Sequence, residues 1–123
     1  MTDIAFAKQF AADWISSWND HDIEKVLEFY SDDFVIESPL ALKLFPESSG
    51  IISGKNNVRE YWVAGLKHNP ELKFELLDVL TGVNGLTIYF LSITQNRRVV
   101  EVLRFNKEGK INKAIVNHSS LAS

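Results

Sequence analysis

Glu101 stands between Val100 and Val102 in an otherwise apolar run, and His118 closes the next such run after Ala114 and Val116. A carboxyl group among valines is costly unless it is paired or protonated. Imidazole is the side chain whose charge ordinarily changes nearest neutral pH. Sharing one cavity, the two supply an acid and a base, the minimum for enolisation, dehydration or cyclisation of a small carbonyl compound. A plainer reading stands beside this one. Glu101 could ion-pair with Arg97, Arg98 or Lys113 at a sheet surface, and His118 could be an exposed strand end.

Other chemistries lack their residues. The chain has no cysteine, which excludes disulfides, zinc–thiolate sites and thiol catalysis. His21, His68 and His118 lie far apart without ligand spacing, so no metal is expected. No nucleophile elbow marks a serine hydrolase. Residues 49–56 superficially suggest a phosphate loop, but the glycine spacing is wrong and Asn56 stands where magnesium needs Ser or Thr. Proton transfer of the kind outlined needs no cofactor.

The elements that would position this pair can be read from periodicity. Residues 98–105 and 110–118 alternate, so each strand has an inward and an outward row. Residues 73–80 and 86–94 alternate as well, and polar turns at 81–85, 95–97 and 106–109 join all four into a meander. A two-residue turn at Asn96-Arg97 would set Ser92 opposite Glu101 and Thr94 opposite Val99. The other face then carries Leu91, Ile93, Val100 and Val102, too apolar for water. Helices can cover one side only, so a second copy is expected on the other, giving a homodimer through the outer sheet face.

Ala7, Phe10, Ala11, Trp14 and Trp18 recur at three- and four-residue steps, which predicts an amphipathic helix over 3–18. Trp14 either packs in the core or points its indole N–H into a cavity. Asp22 caps a second helix with Ile23, Val26, Leu27 and Tyr30 on its apolar face. Residues 34–38 form a strand that Pro39 stops. Residues 40–52 form a long loop whose Leu42, Leu44 and Phe45 should cover a pocket mouth or a partner surface. A third helix runs from Ser53-Gly54-Lys55 to His68-Asn69-Pro70, with Val58, Tyr61, Trp62 and Leu66 inward. Strands gathered after helices mean α+β rather than α/β.

The totals agree with one domain over 1–123. The chain has 123 residues, 46% of them hydrophobic, and a net charge of −3. That charge argues against nucleic acid or an anionic membrane as partner. No apolar run approaches the roughly 20 residues that span a bilayer. The N-terminus has neither a basic nor an apolar leader region, so a cytoplasmic location is expected.

Three stretches, in order, resemble the nuclear transport factor 2-like superfamily, which includes ketosteroid isomerases and SnoaL-like polyketide cyclases. They are residues 18–39 (Trp-Asn-Asp-His-Asp through Phe-Val-Ile-Glu-Ser-Pro), residues 54–62 (Gly-Lys-Asn-Asn-Val-Arg-Glu-Tyr-Trp), and Leu103-Arg104-Phe105 with Glu108-Gly109-Lys110-Ile111. The resemblance implies a curved antiparallel sheet wrapped around helices into a cone, a cystatin-like α+β barrel, with the pocket inside and a dimer across the outer sheet. Carried over singly, the general-base aspartate of ketosteroid isomerase falls on Ser38, its oxyanion-hole aspartate on Glu101, its oxyanion-hole tyrosine on Trp14, and an aromatic pocket position on His118. Ser38 cannot remove a carbon-bound proton unaided, and Trp14 donates a hydrogen bond without exchanging a proton, so steroid isomerisation itself is not implied. No pocket-facing arginine flanked by aspartates matches the epoxide hydrolases of the superfamily. An apolar site can hold a carboxylic acid neutral, and Glu101 is the candidate.

The resulting expectation is a pocket for a small hydrophobic ligand. Glu101 and His118 are the acid and base, Ser38 and Trp14 hydrogen-bond the substrate, and Trp18, Tyr30, Phe34, Ile36, Tyr61 and Trp62 form the wall. The alternative is a non-catalytic ligand-binding or dimerisation module on the same scaffold, since fold alone does not give function.

Overall fold

Asp3 caps the first helix, its carboxylate accepting the Phe6 N–H at 3.0 Å, and helix α1 runs Ile4–Asn19. In the computed structural model, which describes residues 1–120, this helix buries Ala7, Phe10, Ala11, Trp14 and Trp18 along one stripe, as its spacing predicts. Its C-terminal end is clamped to the sheet. The Asn19 side chain donates to the Phe74 carbonyl at 2.9 Å and accepts the Phe74 N–H at 2.7 Å. Helix α2 (Ile23–Leu27) follows, capped by Asp22.

Tyr30 is not on that helix. The helix stops at Leu27, and Tyr30 opens strand β1 (Tyr30–Glu37), where it pairs with Ile111. The 40–52 segment is also more ordered than a loop. Ser38 caps a short helix α3 (Pro39–Leu44), a 3-10 turn spans Pro46–Ser48, and Ile51–Ser53 adds edge strand β2 antiparallel to β1. Leu42 is exposed while Phe45 packs edge-on against Tyr61, so of the three apolar residues expected to act as cover, these two have different surroundings. Helix α4 (Lys55–His68) buries Val58, Tyr61 and Trp62.

Strands β3 (Phe74–Thr81), β4 (Gly85–Ser92), β5 (Arg97–Phe105) and β6 (Ile111–His118) form the expected meander. The described residues thus hold four helices and six strands rather than three helices, one strand and a four-stranded meander. The strands form one curved sheet in the order β2-β1-β6-β5-β4-β3. It is mixed, because β1 runs parallel to β6. That parallel pair follows from connectivity: β1 reaches β6 only after the helices and the whole meander intervene. Gly85 lets β4 begin tight against the Leu103 carbonyl, where a Cβ would collide with backbone.

The register differs from the two-residue-turn estimate. Strand β4 ends at Ser92 and a 3-10 turn, Ile93–Gln95, leads to Asn96 in the left-handed region. Ser92 therefore pairs with Arg97, Phe90 with Val99, and Ile88 with Glu101. The inward row nevertheless keeps its parity. Leu86, Ile88, Phe90 and Ser92 of β4 are buried, as are Val99 and Leu103 of β5 and Ala114 and Val116 of β6. No helix among the described residues is long and apolar enough to cross a membrane.

Candidate active site

The inward row of β5 runs Arg97, Val99, Glu101, Leu103, because alternate residues share a face. On β6, Val116 lies opposite Glu101 and His118 opposite Val99. His118 is therefore diagonal to both Arg97 and Glu101, and all three line one cavity of about 90 Å³. Helices α1 and α4 close it with Trp18, Tyr61 and Trp62, and β1 and its cap add Ile36 and Ser38.

Glu101 faces this cavity, and burial alone lifts its carboxyl to about 8 from an ordinary 4.5. At neutral pH the group is mostly the neutral acid. Burial, and after it the charge that Glu101 carries when ionised, raises the phenol of Tyr30; burial also raises that of Tyr61, against the opposing hydrogen bond with Ser38.

His118 turns to Arg97 rather than to Glu101. An Arg97 guanidinium N–H donates to His118 Nδ1 at 3.0 Å. Arginine has no acceptor, so His118 is the neutral tautomer carrying its proton on Nε2. Burial, and then the Arg97 charge, pull the imidazole down to about 4. His118 is consequently a poor base at neutral pH and a good hydrogen-bond donor. The Arg97 Nε–H is buried and has no partner among the described residues.

The hydroxyls are arranged on the opposite wall. Tyr61 donates to Ser38 Oγ at 3.0 Å, and Ser38 Oγ also accepts the Leu40 N–H at 3.2 Å as cap of α3. With both of these bonds accepted, the Ser38 proton is available to the cavity that Ser38 lines.

Of the expected site residues, Glu101, His118, Trp18, Ile36, Ser38, Tyr61 and Trp62 line the cavity, and Trp14, Tyr30 and Phe34 do not. Trp14 is 0% exposed, and its indole N–H donates to the Tyr30 hydroxyl at 3.0 Å. Its hydrogen bond is thus spent inside the core, one layer behind the wall. Tyr30 and Phe34 pack at a tilt in that layer, with centroids 4.5 Å apart, and Trp62 meets Tyr30 edge-on and Phe34 at a tilt. The buried indole N–H without a partner is that of Trp18.

Arg97, Phe74, Phe90, Ser92 and Gln95 also line the wall, and their spacing does not single them out. Arg97 begins β5 rather than ending the preceding turn, and so shares parity with Val99 and Glu101. Phe74 and Phe90 pair across β3 and β4 with centroids 4.4 Å apart and carry much of the apolar lining. No three His, Asp or Glu among the described residues group as metal ligands. Arg97 faces the cavity without any aspartate in the lining.

The curved sheet, the helices that close it and the internal cavity are those of the nuclear transport factor 2-like superfamily. A family model of the SnoaL-like domain matches residues 11–114, and the chain belongs to the SnoaL-like family. A SnoaL-like protein of unknown function from Burkholderia thailandensis is 32% identical, with a TM-score of 0.90 over 98% of this chain and 100% of that one. An NTF-2 like protein of unknown function from Burkholderia xenovorans is 16% identical, with a TM-score of 0.72 over 95% and 85%. The epoxide hydrolase/cyclase-like enzyme SalBIII, studied for pyran ring formation in salinomycin, is 20% identical, with a TM-score of 0.71 over 98% and 95%. The last two share the fold. No curated protein matches the chain.

Proposed function

We propose that the chain is a cofactor-free enzyme that moves a proton on a small hydrophobic carbonyl compound, and that Glu101 carries the proton. The observation behind this reading is a carboxyl group that faces an internal cavity with an aromatic wall and is raised to about 8 by burial alone. Such a carboxylate is roughly a thousandfold more basic than an ordinary one, and a pKa near working pH suits a group that both takes and returns a proton. The ionised Glu101 takes the proton beside the carbonyl. The C–H electron pair moves into the carbon framework and negative charge collects on the carbonyl oxygen. The proton then returns from Glu101 to another carbon, which isomerises the substrate, or ring closure consumes the enolate.

Neutral donors receive the developing charge. Ser38 and the Trp18 indole line the cavity and can donate. His118 serves as a neutral donor through Nε2–H rather than as the base, the use to which a depressed imidazole is suited. The family relation supports this reaction class.

The reading includes a homodimer through the outer sheet face. Val102 and Leu80 there are 42% and 53% exposed, and with the half-buried Leu91, Val100 and Ile115 they make an apolar surface.

Soaking crystals with small cyclic and aromatic ketones tests the proposal. Density with a carbonyl oxygen in hydrogen-bond reach of Ser38 or Trp18, and a C–H carbon against Glu101, is the expected result. Density confined to the outside would replace the enzyme with a non-catalytic binding module.

A further inference from the structure

The positive charge at the cavity mouth belongs to no step above. Arg97 lines both the cavity and an outer cleft of about 300 Å³, together with Leu40, Gln95 and His118. Glu101 belongs to the inner cavity alone. Lys43 and His68 join the cleft, and no Asp or Glu lines it. In a chain of net charge −3, the entrance to the cavity is cationic.

Arg97 also lacks a counter-ion among the described residues. The ion pairs among the described residues are Lys55–Asp32 and Arg59–Glu24, both elsewhere. The bond Arg97 makes to His118 goes to a neutral ring nitrogen, and its Nε–H is buried without a partner. A guanidinium stays charged under all ordinary conditions. Half-buried and without a counter-ion among the described residues, it is held at a cost that an anion would relieve.

We infer that the ligand of this cavity is an amphipathic carboxylic acid, its carboxylate on Arg97 at the mouth and its apolar body inside. The inference rests on the reading of the cavity as a small-molecule site and names the ligand class. A carboxylate presents two coplanar oxygens that match the guanidinium fork. The apolar body lies among Trp18, Trp62, Phe74 and Phe90, which line the inner part. Arg97 and Glu101 are four residues apart on one strand, roughly 13 Å at ~3.3 Å per residue. The carboxylate of the ligand thus stays clear of Glu101 while the other end of the molecule reaches it. The inner cavity, about 90 Å³, holds only part of such a ligand. The charged end therefore belongs in the wider cleft, and the reacting carbonyl is a separate group, so the substrate is an oxo acid.

Calorimetric titration of the whole protein with matched pairs tests this: phenylacetate against phenylacetamide, and cyclohexanecarboxylate against cyclohexanecarboxamide. Each acid is expected to bind at least about tenfold more tightly than its amide, the worth of one charge-assisted hydrogen bond. Arg97→Gln should erase that ratio. Should this variant not fold, the ring nitrogens of His118 in the wild type give a second readout. An anion on Arg97 offsets the charge that depresses the imidazole, so phenylacetate should raise the His118 titration midpoint and phenylacetamide should not. Equal binding of acid and amide, or a ratio that survives Arg97→Gln, overturns the inference and leaves the small-molecule site standing. No binding by either series, or by cyclohexanone, overturns both.

Discussion

Arg97 donates to Nδ1 of His118 at 3.0 Å, and because a guanidinium only donates, this contact fixes the proton of His118 on Nε2. The same contact sets the charge of the ring. Burial and the adjacent cation both disfavour imidazolium, so the residue that sequence alone suggests as a base becomes a neutral donor.

The first prediction concerns that ring. Nitrogen-15 spectra should show His118 as the Nε2–H tautomer throughout the neutral range, titrating near pH 4. Arg97→Gln removes the cation and should move the midpoint toward 6.5, while burial keeps it from reaching that value. A wild-type midpoint at 6.5 would contradict the assignment.

Glu101 should tilt stability against pH. Its folded value, about 8, lies above the ordinary 4.5. Between those values the unfolded chain has lost the proton and the native chain keeps it, so stability falls as pH rises. Below 4.5 the effect is absent, and above 8 the whole penalty is present. His118, lowered from 6.5 to about 4, acts in the opposite sense, removing stability as pH falls through that lower window. Glu101→Gln cannot ionise and should lose the falling limb. Urea unfolding should find it similar to wild type near pH 4.5 and more stable at pH 8.5, by on the order of a few kcal/mol.

Ser38 joins the wall to the helix that follows. It caps α3 and accepts the buried Tyr61 hydroxyl. Ser38→Ala should cost about 1 kcal/mol for the cap and a further ~1 kcal/mol for the phenol left unpaired. Tyr61→Phe removes only the second interaction. The double variant should therefore cost less than the sum of the singles, and strict additivity in urea unfolding would contradict the shared bond.

The outer face gives a fourth expectation. Val102→Glu places a charge in the middle of the apolar outer row and should convert a dimer to a monomer in sedimentation velocity without unfolding the protein. A wild type that sediments as a monomer at all concentrations would remove the dimer from the account.

Much of this was legible in the chain. The two helical stripes and the meander follow from period alone, because burial imposes period on both helix and strand, whereas period leaves open which face of β5 carries Glu101 inward. What escaped depended on tertiary pairing. Tyr30 joins a strand because Ile111 waits beside it, a partner 81 positions away. The β1–β6 pair is parallel for a topological reason no local window contains. Arg97 was hidden by one residue of turn: once the 3-10 turn takes Ile93–Gln95, the strand begins at Arg97 and its side chain falls on the cavity side. Trp14 and Trp18 share a stripe, and only the position of the Tyr30 hydroxyl decides which indole keeps a free N–H.

The most direct test of the central claim is exchange of the proton beside a carbonyl into deuterated buffer, followed by proton NMR for small cyclic ketones and oxo acids. Wild type should accelerate exchange, with a rate that climbs with pH and levels off near 8 as Glu101 ionises. Glu101→Gln should lose about a hundredfold or more, the ordinary worth of a positioned acid–base group. Exchange that is equal in the two proteins, or indifferent to pH across that range, would contradict Glu101 as the proton carrier.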